Sequence, residues 1–490
     1  MQSDGDASFR GAKGDSRAKG DNVPVRQLTL FDTSSIIVGI IIGSTIFKMS
    51  PLISLSAARA TTAAFQHWLN WPLADDASGL FWAQFIGIVA IWLLGGVIAL
   101  LGALCYAELS TAMPQEGGNY VFLTAAFGRA TGLAFAWTEF WIVRPGNVGA
   151  IAFVAATFAL PLLPDSLRQA LDNRAEVVLA VSFIATLTVV NLLGIQMERW
   201  TQNLLTAAKV VGLLLVSLIA LFWLSPPHSS PVVVANGGVS WWLTFVFVMF
   251  AYGGWSDMPY VAAEVDNPRR NLTRALLLGT LSVLVIYLFL ILACVRGLGL
   301  AGLYTSNNIA SDVLQQAVGP WGDRAISLLV VISCLGAIHG MLFTGARVFY
   351  KLGTEHALFS LLGKWQSSGQ IPARSLLIQS AVTIALVILF GTGQDSFEQL
   401  VIFTGPFYWG FIGVVTIGLL VLRMRGRLAN DRYRSPLFPL PPLLFCLVCG
   451  GMTYAAVQYI WSSGGQNWWW AAGVILTGAI VVAIEARPKG

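Results

Sequence analysis

Charge is what these 490 residues have least of: Asp, Glu, Lys and Arg make 11% of the chain, against 56% hydrophobic residues. A soluble domain carries about a quarter charged residues. Half that amount does not hold a body of this size in water, which excludes an ordinary soluble enzyme or binding domain. Histidine is scarce too, with four scattered residues, His67, His228, His339 and His356. There is no H-E-x-x-H, no acidic pair at metal-ligand spacing and no phosphate-binding glycine loop, so no catalytic residue, metal or cofactor is expected. The five cysteines lie in or beside apolar segments and suggest no disulfide framework. Cys446 and Cys449 form a C-x-x-C inside an apolar run, which reads as small residues one turn apart. No aromatic-basic strand or zinc-finger spacing supports a nucleic-acid partner. Residues 1–27 are polar and read as a disordered tail, and because the first apolar segment follows them, a cleaved signal segment is not expected.

What the chain does have is apolar runs of about 20 residues or more, the length that crosses a lipid bilayer. About twelve are expected, at 34–52, 82–107, 128–162, 175–195, 203–224, 241–261, 272–296, 323–349, 375–392, 397–423, 436–461 and 467–485. The fold class is therefore an all-α membrane protein. With the N-terminal tail inside, the inside loops collect most of the arginines and lysines, among them Arg129, Arg199, Arg269, Arg347 and Arg423 to Arg434. The outside loops hold few, such as Arg59, Arg168, Arg174 and Arg324. That asymmetry places both termini in the cytoplasm. The long outside connection 53–81 reads as a solvated linker with interfacial Trp68 and Trp71.

Two segments carry residues that helices avoid. The first reads GIIIGSTIF over 39–47, and the sixth reads FAYGGWSDMP over 250–259. Glycine costs about 1 kcal/mol inside a helix relative to alanine, and proline removes a backbone bond. Freed backbone groups at membrane depth are tolerated only inside protein or in a polar cavity. These are the opening segments of two five-helix blocks, the arrangement of an inverted-repeat transporter with its site at the midplane. Opened N–H groups would hold a carboxylate and facing carbonyls an ammonium, the two ends of an α-amino acid. For the first segment alone, G-x-x-x-G packing between helices is an equal reading.

Four stretches carry a family resemblance: 39–51, 102–128 (GALCYAELSTAMPQEGGNYVFLTAAFG), 250–274 (FAYGGWSDMPYVAAEVDNPRRNLTR) and 333–356 (SCLGAIHGMLFTGARVFYKLGTEH). Together they resemble the amino acid–polyamine–organocation transporters, in their L-type amino acid transporter branch, from about residue 28 to 480. The resemblance implies a LeuT-like fold: a first inverted repeat over 28–225, a second over 226–424, and two further helices with a short tail over 425–490. It implies amino acid exchange, with proton-coupled uptake as the alternative within transport and a non-transporting amino-acid sensor as the alternative of another class. It places the substrate carboxylate at the backbone of Gly43, Ser44 and Thr45, and the ammonium at the carbonyls of Ile41, Phe250 and Gly253. Phe250 would gate the site, with Ser256, Tyr408 and Trp409 near the side-chain pocket. The sequence departs from the family at Thr45, where glycine is usual, at Ser256, where asparagine is common, and at Asp257, where the side chain is usually uncharged.

Three of the charges within the apolar runs bear on function. Lys209, in the fifth segment, matches the position where sodium-coupled relatives hold a cation, so it would replace that cation as a fixed charge or a titrating group. The plainer reading is a side chain that snorkels to the interface. Asp257 is expected to cap the second half of the sixth segment, with a charge partner (Arg144, Lys209 or a cationic substrate) as the alternative. Arg144, followed by Pro145, is expected in a structural ion pair or in carbonyl contacts, with substrate contact as the alternative. Glu108 and Glu116 read as solvated or loop-anchoring carboxylates. Eukaryotic members of the branch bind a heavy subunit through a cysteine after the third segment; the stretch 161–176 contains none, so no disulfide-linked partner is expected. The expected surroundings are a bacterial inner membrane, its lipid, and small amino acid substrates.

Overall fold

The computed structural model describes residues 24–68, 77–224, 241–306, 308–391, 396–428, 433–462 and 468–485. They are helical almost throughout, because a backbone in hydrocarbon has to satisfy its polar groups internally. Helix α1 (Leu30–Ile41) starts at a capping box, in which Asp32 N donates to Thr29 Oγ1 at 3.2 Å and Thr29 N donates to the Asp32 carboxylate at 2.9 Å. After the break at 42–44 the chain resumes as Thr45–Lys48 and α2 (Ser50–Trp68). The N–H of Met49 donates to Thr45 O at 2.8 Å and that of Ile53 to Met49 O at 2.9 Å, so helical bonding runs across that junction.

There follow α3 (Ala77–Ala112), α4 (Asn119–Phe127), α5 (Arg129–Thr138), α6 (Arg144–Ala159), α7 (Ala175–Leu192) and α8 (Ile195–Phe222). The rest of the bundle is α9 (Trp241–Ala251), α10 (Pro268–Thr305), α11 (Ile309–Val318), α12 (Trp321–Glu355), α13 (Ala373–Phe390), α14 (Ser396–Met424), α15 (Leu440–Ser462) and α16 (Trp468–Glu485). Among the described residues, ten helical stretches are long and apolar enough to cross a bilayer. The sixth expected span is split between α9 and the 3₁₀ turn Trp255–Glu264, and α16 is shorter, which together complete the expected set of about twelve.

Helix α8 shows which solvent this surface is built for. Its buried face holds Glu198, Gln202, Thr206 and Lys209, while Leu204, Val211 and Leu215 are exposed. That is the reverse of a water-soluble amphipathic helix. Polar groups turned inward and leucines outward fit lipid. At the centre, α1 packs against α8, α10, α12 and the 3₁₀ turn.

Three expectations need correction. Much of the supposed linker 53–81 is helix α2, whose Ile53, Ser54, Ala57 and Ala58 are buried; α2 packs on α3. Small residues let two helices approach closely, and they disguised this one as a loop. Residues 69–76, with Trp71, lie outside the described residues. The chain is also tied down before residue 28: the N–H groups of Gln27 and Leu28 both donate to Glu264 O at 2.8 Å, and Asp266 N donates to Leu28 O at 2.9 Å. Arg347, expected in a loop, is fully buried in α12.

Candidate functional site

The first break is held from behind. Between α1 and Thr45 the carbonyls of residues 39 to 43 lose helical partners, and α8 and α12 supply new ones. Lys209 Nζ donates to Gly39 O and Ile42 O at 2.8 Å and to Ser333 O at 2.7 Å. Those three bonds use all the donors of an ammonium. Ser333 Oγ adds bonds to Ile42 O at 2.9 Å and Gly43 O at 3.0 Å. Gly336 makes this possible, since a Cβ there would lie 2.8 Å from Nζ. Lys209 therefore does not snorkel: it is fully buried and fastens α8 to the break and to α12.

The second break faces the first. Gly254 takes φ +110, which a residue with a Cβ rarely adopts, and its Cβ would meet Ile40 Cγ2 at 2.6 Å and the backbone of Ile41 at 3.2 Å. Glycine here lets the two broken strands of backbone touch. Tyr287 from α10 bridges them, its hydroxyl lying 3.3 Å from Ile41 O and 3.2 Å from Ala251 O.

Between the breaks lies a cavity of about 40 Å³ for the centres of water-sized spheres. Of the residues expected to bind substrate, Ile41, Gly43, Ser44, Thr45, Phe250, Gly253 and Tyr408 line it, as does Asp257. Ser44 Oγ is buried with no hydrogen-bond partner among the described residues, and Thr45 begins the second half-helix, whose first N–H groups have no intrahelical acceptor. Phe250 O accepts from Gly253 N at 3.1 Å and keeps one lone pair, whereas Ile41 O accepts from Gly43 N at 2.8 Å and shares the Tyr287 hydroxyl with Ala251 O. Ser256 and Trp409 stand behind the lining. Ser256 Oγ pairs with Tyr408 OH at 3.2 Å, and Trp409 packs edge-on to Tyr408. Lys209 is likewise outside the cavity.

The opposite wall contains a group that sequence reading missed. Pro145 has no N–H, and ahead of it the chain widens into a π-helical turn, Glu139–Val143, in which Arg144 N donates to Glu139 O. The wide turn leaves Glu139 and Arg144 together, with Nη2 and Oε1 2.8 Å apart. Arg144 Nη1 donates to Asp257 Oδ2, which also accepts from Thr344 Oγ1 at 3.0 Å. The expected ion pair of Arg144 is thus present, with two carboxylates instead of one. Asp257 does not cap: Gly254 occupies the cap position without a side-chain bond, and the carboxylate is drawn to the guanidinium. A glutamate five residues before an Arg-Pro was the available signal for Glu139.

A second arginine with two carboxylates lies away from the cavity. Arg347 donates through Nε and Nη2 to Glu264 at 2.8 and 3.1 Å and through Nη1 and Nη2 to Glu198 at 3.5 and 3.2 Å. Glu108 anchors a loop, accepting from Ser435 N at 2.8 Å beside Arg423.

The amino acid permease family model matches residues 28–481. The b(0,+)-type amino acid transporter 1 of Mus musculus is 29% identical over 379 residues, 73% of this chain and 72% of its own. Asc-type amino acid transporter 1 of Rattus norvegicus is 28% identical over 409 residues, 82% of this chain and 71% of its own. Large neutral amino acids transporter small subunit 2 of Mus musculus is 28% identical over 437 residues, covering 86% and 75%. These relatives are transporters, not enzymes, and the chain belongs to the amino acid permease family, in the L-type branch of the amino acid–polyamine–organocation transporters.

Proposed function

We propose that the protein carries α-amino acids across a membrane by alternating access, and that it does so as an exchanger. The observation that carries this reading is the single cavity shared by two facing helix breaks. In this reading the N–H groups from Gly43 to Thr45, with the Ser44 hydroxyl, take the carboxylate at the start of a half-helix. The ammonium goes to Ile41, Phe250 and Gly253, and Phe250 closes over it. The two breaks open the two inverted repeats of a LeuT-like fold, 28–225 and 226–424, with two helices appended. Both termini face the cytoplasm of a bacterial cell, and the protein works without a disulfide-linked heavy subunit.

Lys209 favours proton-coupled uptake as the second reading. Its three acceptors are carbonyls and no carboxylate is among them, so its charge is balanced only by dipoles. Such a group is able to exchange a proton during the cycle.

Efflux from proteoliposomes preloaded with a labelled amino-acid mixture separates these readings. Efflux that requires amino acid outside supports exchange. Efflux without it, following an imposed pH gradient, supports proton coupling. Binding without flux would replace both with a sensor.

A further inference from the structure

Three charged residues line the cavity, Glu139, Arg144 and Asp257. Their formal sum is −1, since one guanidinium serves two carboxylates. Glu139 and Asp257 are 4% and 6% exposed, so water does little to compensate the excess.

The hydrogen bonds are unbalanced in the same direction. Asp257 Oδ2 accepts from Arg144 and Thr344, while Oδ1 accepts from no described residue. Glu139 Oε1 is engaged by Arg144, while Oε2 has no donor among the described residues. A third acceptor points to the same need. Asn119, also lining the cavity and 3% exposed, gives its Nδ2 to Tyr260 OH at 3.0 Å and leaves Oδ1 unpartnered. On the donor side Arg144 Nε and the Ser44 hydroxyl are unpartnered. Three acceptors, two of them on carboxylates, thus face a wall with little to donate. Of the three, Asn119 Oδ1 is fully buried, and such an acceptor without a donor costs about 1–3 kcal/mol; the two carboxylate oxygens open onto the cavity, where a ligand can reach them.

An amino acid's main-chain groups sum to zero, so a neutral substrate leaves this excess in place and an acidic one doubles it. We propose that the Glu139–Arg144–Asp257 cluster is a charge filter that selects amino acids whose side chain ends in an ammonium or guanidinium and excludes those ending in a carboxylate. A cationic side chain brings the missing unit of charge and several N–H donors together. The proposal rests on the transport reading above.

The test compares near-isosteric side chains. In proteoliposomes holding the full chain, L-arginine, its uncharged analogue L-citrulline and L-glutamate compete for uptake of a labelled amino-acid mixture. Arginine is expected to compete at about tenfold lower concentration than citrulline or better, and glutamate not to compete, because a site built to meet a charged donor rejects the analogue lacking it. In Asp257→Asn and Glu139→Gln the arginine-to-citrulline ratio is expected to fall toward one. The ratio is internal to each preparation, so loss of folded protein does not mimic the effect; if neither variant folds, the native ratio decides. Equal competition by arginine and citrulline in the native protein overturns the filter and leaves transport standing. So does an unchanged ratio in both variants. Uptake of neutral amino acids driven by a pH gradient, without preference for arginine, assigns the missing charge to a proton and also overturns it. No flux of any amino acid overturns transport and the filter together.

Discussion

Among the described residues the same ionic unit recurs around Arg347 and Arg144, one arginine between two carboxylates, and the two are finished differently. Around Arg347 every carboxylate oxygen of Glu198 and Glu264 accepts from the guanidinium, Phe343 O takes a further N–H, and the Phe343 ring lies 3.9 Å from the guanidinium carbon. Around Arg144 one oxygen of each carboxylate is left over. A saturated cluster has nothing to offer a ligand and serves as a clamp between α8, α12 and the 3₁₀ turn. The unsaturated one lines the cavity.

This contrast can be broken experimentally. The largest effect is expected from Arg347→Ala, which strands two buried carboxylates. Removing one partner of a buried pair costs about 3–5 kcal/mol, so the detergent-solubilised variant should melt far below the native protein or fail to fold. A native-like melting curve would show that saturation does not mark a structural cluster. Lys209→Ala comes next. It removes three charge-assisted bonds, each worth about 1.5–3 kcal/mol taken singly, and releases the first break. Flux is expected to drop by about tenfold or more, whereas native flux and native pH dependence would separate Lys209 from the cycle. Gly254→Ala tests the contact between the breaks. The left-handed backbone costs a residue with a Cβ about 1–2 kcal/mol, and Ile40 must also move, so weaker substrate binding by isothermal titration is expected. The smallest change is Tyr287→Phe, which loses about 1 kcal/mol of hydrogen bonding and should raise KM a few-fold with little change in melting.

Sequence sufficed where the chemistry is local. Glycine, small hydroxyl residues and proline within an apolar run mark a helix break wherever it packs, and the breaks at 42–44 and 252–254 fall inside the two stretches read from sequence. The buried lysine in an apolar run was legible for the same reason. Pairings between distant segments were not. Asp257 and Arg144 are 113 residues apart, and Arg347 and Glu198 are 149 apart. Near a predicted span end, an arginine destined for burial and one destined for a loop look alike. Helix α2 was missed because alanine, serine and threonine make a weak hydropathy signal, and its burial depends on a neighbour that the local pattern does not reveal. Ser256 and Trp409, expected near the side-chain pocket, stand one layer behind the cavity lining.

The hydroxyl of Tyr287 has one further consequence. A phenol carries a single proton, and the distances to Ile41 O and Ala251 O, 3.3 and 3.2 Å, are nearly equal and both long for an O–H donor. At any instant only one of the two carbonyls receives that proton, and the other goes without. The two halves of the site thus compete for a shared donor, and a swing of one O–H bond, without backbone movement, changes which half is short. In the proposed binding mode an arriving ammonium ends the competition at Ile41, and Tyr287 is then left to Ala251. In that binding mode, occupancy at Ile41 would be registered at Ala251 through the rotation of a single bond.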